Sequence, residues 1–394
     1  MAVCRWCFVI GGNKMSAENS TLDNILSDVR SPDLTTKTVE FLDSTWQLAF
    51  TIEFYFQYVM IAIGVIGMVA NALVLYALIA CHLRESKKRG VNLLMINQNI
   101  LDLLSCLLLI ITFSVRVRNI YLTGALGYYL CTILTSENAI HCTMYASIIN
   151  LMSITVERYL KVVHQFWSKR NLKRWMIHAA MVFAWIGGTL SEAPVVFVST
   201  ILQDGICLSF FVWESTAVRM IFHAWTVISY FFVPVIVFLF CYGRIVVVMR
   251  RQIRAMAAHN VEGSVRARAS EIQSKRVKWN IVKTMIIVSA AFVVCWSPST
   301  FYFVVVDSVN PTITASDTYA GYYATVFLNY LYICINPFIY AVKHEGVKEK
   351  LAGLMIWRGR VGVAAVADAA GSNSGDRNIS GGTRKSHTGT GQTR

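Results

Sequence analysis

Ser147-Ile-Ile-Asn-Leu-Met-Ser-Ile-Thr-Val-Glu157-Arg158-Tyr159-Leu-Lys-Val-Val163 decides the fold of this chain. Apolar residues fill most of the stretch, and an acid, a guanidinium and a phenol then arrive together near its end. A charge pair at the mouth of a long apolar helix costs free energy unless it has partners or touches water. Ionisable residues at or inside a membrane are therefore functional candidates by default. An Arg beside a Glu is also the pattern of a plain surface ion pair, so the surrounding chain has to decide.

Of the 394 residues, 55% are hydrophobic and 15% charged, well below the roughly 25% charge of a soluble domain. So apolar a chain needs the bilayer as a second solvent. The net charge of +14 does not form one patch; the bases sit in short runs between apolar segments. That distribution follows the positive-inside rule and argues against a nucleic-acid partner. The ten Cys show neither CxxC nor Cys/His metal spacing, so no zinc site is indicated.

Outward from the opening stretch, seven apolar runs are predicted to span the membrane as helices, near 54–80, 92–115, 132–162, 175–199, 219–248, 279–306 and 319–342. Basic residues crowd alternate connections: Arg84, Lys87, Lys88 and Arg89, then Lys169, Arg170, Lys173 and Arg174, then a run from Arg250 to Lys278. The other connections are poor in base, with Arg116, Arg118 and Arg219 as exceptions at span ends. This places the N-terminus outside and the C-terminus in the cytoplasm of a multi-pass plasma-membrane protein. The expected organisation is an extracellular segment 1–53, a bundle 54–342, a short amphipathic eighth helix 343–358 on the membrane surface, and a disordered cytoplasmic tail 359–394. Asn19-Ser20-Thr21 is a glycosylation sequon on the outer side, and no signal peptide is read at the start.

Each span carries residues that a simple anchor avoids. They are Asn71, then Asp102 in Asn97-Gln-Asn-Ile-Leu-Asp102, Ser147 and Asn150, Trp185 and Pro194, Pro234 and Tyr242, Phe292-Val-Val-Cys-Trp296-Ser-Pro298, and Asn336-Pro337-Phe-Ile-Tyr340. Proline inside a helix frees a carbonyl one turn earlier and kinks the axis. Kinked helices around a buried carboxylate describe a bundle built to move.

As a set, over about residues 54–350, these motifs resemble the rhodopsin-like family of G-protein-coupled receptors. The resemblance implies an all-α, seven-transmembrane receptor, not an enzyme, coupled to a heterotrimeric G protein. It implies that Arg158, held by Glu157 beside Tyr159, receives the G protein, with Tyr242 and Tyr340 turning inward to support the active state. Phe292 and Trp296 are expected to repack below the ligand around the kinks at Pro298 and Pro337. Asn71, Asp102, Ser147 and Asn336 match a polar cluster that holds an allosteric sodium ion at Asp102. Cys131 and Cys207 match a disulfide that ties the third span to an outer loop.

Departures from the family pattern carry expectations of their own. Cys131 lies two residues further from Arg158 than is usual, which predicts a bulged or shifted outer end to the third span. Lys278 stands where many relatives carry an acid that pairs with the Arg; like charges repel there by roughly 1 kcal/mol, which predicts raised basal signalling. Gln98 replaces a common Leu and is expected to join the polar cluster, while Tyr332 replaces a small polar residue and predicts an incomplete sodium site.

The ligand is less legible. The seventh span has no Lys for a retinal Schiff base, and Ile140 stands where an amine receptor has Asp. The outer half offers Glu137, His141 and Met144, then Glu192, His223 and Thr226, with Trp296, Phe303, Tyr322 and Tyr330 opposite. A wide cup of scattered charge and many Tyr suits an extracellular peptide. A lipid or other small molecule is the rival ligand, and a seven-helix ion or proton transporter the rival class. Glu192 and His141 also read as helix–helix hydrogen-bonding residues. Ser372, Ser374, Ser380, Thr383, Ser386, Thr388 and Thr390 are candidate sites for receptor kinases and arrestin.

Overall fold

The computed structural model describes residues 32–84, 89–118, 120–198, 200–203, 205–208, 215–258, 265–308, 315–343 and 347–353. Among them, seven helical spans are long and apolar enough to cross a membrane: Thr51–Leu83, Leu93–Val117, Gly124–Val163, Arg174–Phe197, Ala217–Gln252, Trp279–Tyr302 and Gly321–Lys343. Each falls on a run expected from hydropathy. A helix satisfies its own backbone, which lipid cannot do, and so the bundle is built of helices.

Two helices run furthest beyond their expected bounds. The first starts at Pro32 rather than near residue 54, because proline is pre-organised for the first helical position and lacks only an N–H that has no helical partner there. The sixth starts at Val265, carrying helix into the base-rich connection. The expected helix over 343–358 is described over 347–353, where it is helical. The chain divides into two units after Lys348, and 359–394 and Asn19 lie outside the described residues.

Hydrophobic burial cannot hold helices together in lipid, so close packing and hydrogen bonds do. Gly67 shows the packing: a Cβ there would meet the sulfurs of Cys334 at 2.5 Å and Cys106 at 2.8 Å, so only glycine lets spans one, two and seven approach. Gly188 does the same for spans three and four, where a Cβ would lie 2.4 Å from the Cys142 carbonyl oxygen. The outward faces present Val65, Ile66, Leu73, Phe183, Ile186, Leu190, Ile236 and Leu239, an apolar surface that suits acyl chains.

Two of the helix prolines leave the α-helix uninterrupted, while two π turns break the regular pattern elsewhere. Pro298 and Pro337 sit inside the sixth and seventh helices. A π turn over Ile228–Phe232 leads into Pro234 on the fifth, a wide turn that suits a ring unable to donate a backbone hydrogen bond. The third span is interrupted at its Cys131 end. A helix over Gly124–Leu130 passes into a π turn at Cys131–Thr135 and breaks at Ser136, and the long helix Asn138–Val163 follows. Glu137, at the break, has φ 66° and is the one non-glycine residue with positive φ among the described residues. The offset of Cys131 is thus absorbed as a bulge, as expected, and Cys131 still bonds Cys207.

Cys207 lies on a hairpin, β1 Ile201–Gln203 against β2 Ile206–Leu208, with Leu202 opposite Cys207. Gly205 turns the hairpin at φ 75°, and a Cβ there would strike the Tyr121 ring at 2.2 Å. Disulfide and turn together fix the hairpin beside the interrupted span.

Candidate functional site

Three layers of polar side chains run through the bundle. At the Arg158 end, Glu157 forms an ion pair with Lys161 one turn on and lies 3.7 Å from Arg158 Nε. Glu157 therefore divides itself between two cations, and Arg158 receives the weaker share. Arg158 Nε and Nη2 are buried without a hydrogen-bond acceptor. Tyr242 is buried, bonded to Thr155 at 2.9 Å and accepting from Ser289 at 3.3 Å. Tyr340 is fully buried and its hydroxyl has no partner. Tyr159 turns away from this group and meets His164 at 3.2 Å. The side chain of Lys278 lies outside the described ones. From its place in the sequence, Lys278→Glu is expected to lower ligand-free nucleotide exchange by restoring a partner for Arg158; exchange equal to wild type at equal surface expression would remove that argument.

The middle layer surrounds Asp102, which is fully buried. Its Oδ1 accepts from Ser147 at 2.9 Å and Gln98 at 3.2 Å, and its Oδ2 accepts from Asn336 at 3.0 Å. Gln98 also donates to Ser147, so it joins the cluster as expected. Asn71 stands one step aside, donating to the carbonyls of Gly67 and Ile333 at 3.0 and 3.2 Å and tying span one to span seven. Hard cations take oxygen ligands, yet Gln98 turns an N–H to the carboxylate, on the same oxygen that Ser147 reaches. So arranged, these residues do not fit a sodium ion. Tyr332 adds bulk to this region, its buried ring edge-on to Phe292 at 5.7 Å. Phe292 and Trp296 pack at 5.7 Å, and Tyr145 lies 6.3 Å from Trp296.

At the Cys131 end, the left-handed break sets Glu137 against Arg116 of span two and Tyr330 of span seven, which bond its two carboxylate oxygens separately. Arg116 is anchored in turn by the Thr135 carbonyl inside the π turn. His141 stacks on Tyr330 at 6.5 Å and on Tyr145 at 6.2 Å. Tyr322 lines, with Glu53, Phe56, Phe113, Arg116 and Glu137, a cavity among the described residues. Met144, a turn deeper than Ile140, is buried.

The remaining candidates lie apart from this group. Glu192 is buried at a helix break and its Oε2 has no partner. Thr226 returns its hydroxyl to the Phe222 carbonyl at 3.0 Å. His223 lies beside Phe222, with ring centroids 6.0 Å apart, and the side chain of Phe303 lies outside the described ones. Sequence reasoning missed Arg116 as a site residue, although its standing as an exception to the charge rule was the available signal.

The sequence and the fold resemble those of known proteins. Residues 70–340 match a family model described as the 7 transmembrane receptor (rhodopsin family). The chain is 27% identical over 297 residues to the somatostatin receptor type 5 of Rattus norvegicus, covering 74% of this chain and 75% of that protein. It is 27% identical over 296 residues to the substance-K receptor of Mus musculus, covering 74% and 71%. Squid rhodopsin shares the fold at a TM-score of 0.63 and 17% identity, over 78% of this chain and 86% of that one. The family is one of multi-pass plasma-membrane signalling receptors, not enzymes, and the chain belongs to it: it is a rhodopsin-family seven-transmembrane receptor.

Proposed function

We propose that the chain converts binding of an extracellular peptide into nucleotide exchange on a heterotrimeric G protein. The observation that carries the peptide reading is the floor of the Cys131 end, where Glu137 is shared between Arg116 and Tyr330. A lipid favours apolar lining, whereas a peptide brings charges and amides that a polar floor can exchange for its own. Two relatives named for the peptides somatostatin and substance K point the same way.

A cationic group on the ligand would compete with Arg116 for Glu137 and, by drawing the carboxylate toward itself, loosen its bond to Tyr330. Tyr330 lies on the same helix as Pro337 and Tyr340, so its release frees a proline-containing helix whose far end, at Tyr340, lies near Arg158. In this reading the N-terminus is extracellular and carries a glycan at Asn19, and the C-terminus is cytoplasmic. The tail then meets receptor kinases and arrestin, and the outward apolar faces meet membrane lipid.

The test is nucleotide exchange on a panel of Gα subunits, first without ligand and then with fractionated peptides and lipids. A peptide is expected to raise exchange, and Glu137→Gln to lower its potency at least tenfold, since truncating one partner of a buried charge pair with a ligand costs about 2 kcal/mol or more of binding. Activation by lipid fractions alone, or full peptide potency in Glu137→Gln, would overturn the reading.

A further inference from the structure

Four side chains in the middle layer form a one-way chain of hydrogen bonds. An indole N–H can only donate. Trp185 Nε1 donates to Asn97 Oδ1 at 3.1 Å. That fixes the Asn97 carboxamide, whose Nδ2 donates to Asn150 Oδ1 at 2.9 Å. Asn150 is then fixed too, its Nδ2 donating to Gln98 Oε1 at 2.8 Å and to the Leu94 carbonyl at 3.0 Å. Only the N–H groups of Gln98 remain, and they reach Asp102 Oδ1 at 3.2 Å and the Ser147 hydroxyl. Reversing any one carboxamide would set donor against donor or oxygen against oxygen, so the indole sets the direction of the whole run. Aligned bonds of this kind also polarise one another, leaving the last N–H more positive than in an isolated amide.

We infer that the Gln98 carboxamide, oriented from Trp185, takes the position and the electrostatic role of a cation at Asp102, and that this receptor is insensitive to sodium. The carboxylate obtains an oriented N–H dipole from within the chain. Its other donors, Ser147 and Asn336, are already engaged with it. The pocket keeps the oxygens to serve a cation once the amide is gone: Asp102, the Ser147 hydroxyl and Asn336 Oδ1, which is buried without a partner. Removing the amide alone should therefore create a sodium response where none existed.

The test needs no ligand. The full-length receptor is purified in lipid nanodiscs, and its thermal unfolding is followed in NaCl and in choline chloride at equal ionic strength. An ion that binds the folded state alone raises the midpoint. The wild type is expected to unfold at the same temperature in both salts. Gln98→Leu is expected to unfold about 2 °C or more higher in NaCl, and the Gln98→Leu/Asp102→Asn pair to lose that difference. Gln98→Met, which keeps the length and removes the amide, is expected to behave as Gln98→Leu and replaces it if the leucine variant does not fold. A sodium-specific rise in the wild type that Asp102→Asn abolishes would overturn the inference. So would Gln98→Leu and Gln98→Met proteins that fold yet show no preference for sodium. Neither arm depends on the peptide reading, so the two stand or fall separately.

Discussion

Membranes carrying Arg158→Ala should lose ligand-free nucleotide exchange on Gα while the receptor reaches the cell surface in normal amount. The side chain is 11% exposed and holds its nearest acid, Glu157, at 3.7 Å. Lys161 occupies the same carboxylate at closer range. Buried guanidinium nitrogens without acceptors are costly to keep, so truncating the residue is not expected to weaken the fold. The loss should appear in signalling alone. A guanidinium offers five donors in a fixed fork, and the carbonyls at the C-terminal end of an incoming helix are acceptors at the negative end of a dipole. We propose that Arg158 receives such a partner from the G protein. Equal exchange in mutant and wild type, at equal surface expression and above background, would end that assignment.

The second large effect concerns the disulfide. Cys131→Ser or Cys207→Ser is expected to cost about 4 kcal/mol of stability, because the bond closes a loop with a sequence separation of 76. The damage should not stop at stability. Cys131 opens the π turn whose Thr135 carbonyl anchors Arg116, and Arg116 holds Glu137. Freed from the hairpin, that turn can relax toward regular helix and carry Glu137 off the floor. The double variant should be no worse than either single one, since the bond is the unit. The check is the unfolding midpoint of all three proteins beside their peptide response. A double variant much less stable than both singles, or an unchanged peptide response in any of them, would contradict this account.

The sequence made the bundle legible because lipid leaves so few solutions. Each span was placed by its apolar run, and Pro234 marked the one of the three helix prolines that adjoins an irregular turn. The Cys131 offset foretold a bulge. Its form did not follow, since a π turn and a left-handed Glu137 are two of several ways to absorb extra residues. The pairing of Arg116 with Glu137 was hidden for another reason. A charge rule counts residues by side of the membrane and is blind to neighbours on other helices. The run from Trp185 to Asp102 crosses three spans, so no local pattern shows it, although Asn97, Gln98, Asn150 and Trp185 were each conspicuous alone. The helix from Pro32 and the extension back to Val265 were missed because both are polar, and hydropathy finds membranes rather than helices.

The break at Glu137 also governs how this chain can be lined up with its relatives. A residue added to a regular helix turns everything beyond it by about 100°, so an offset of two residues would otherwise aim the wrong side of the third span at the ligand. The π turn and the left-handed residue reset that rotation within a few residues. Residues Asn138 to Val163 thus form one uninterrupted helix that includes Arg158, while those before Thr135 are held in register by Cys131. Set against the family pattern, a single ungapped count from Arg158 therefore misplaces by two the residues of this span that precede Thr135.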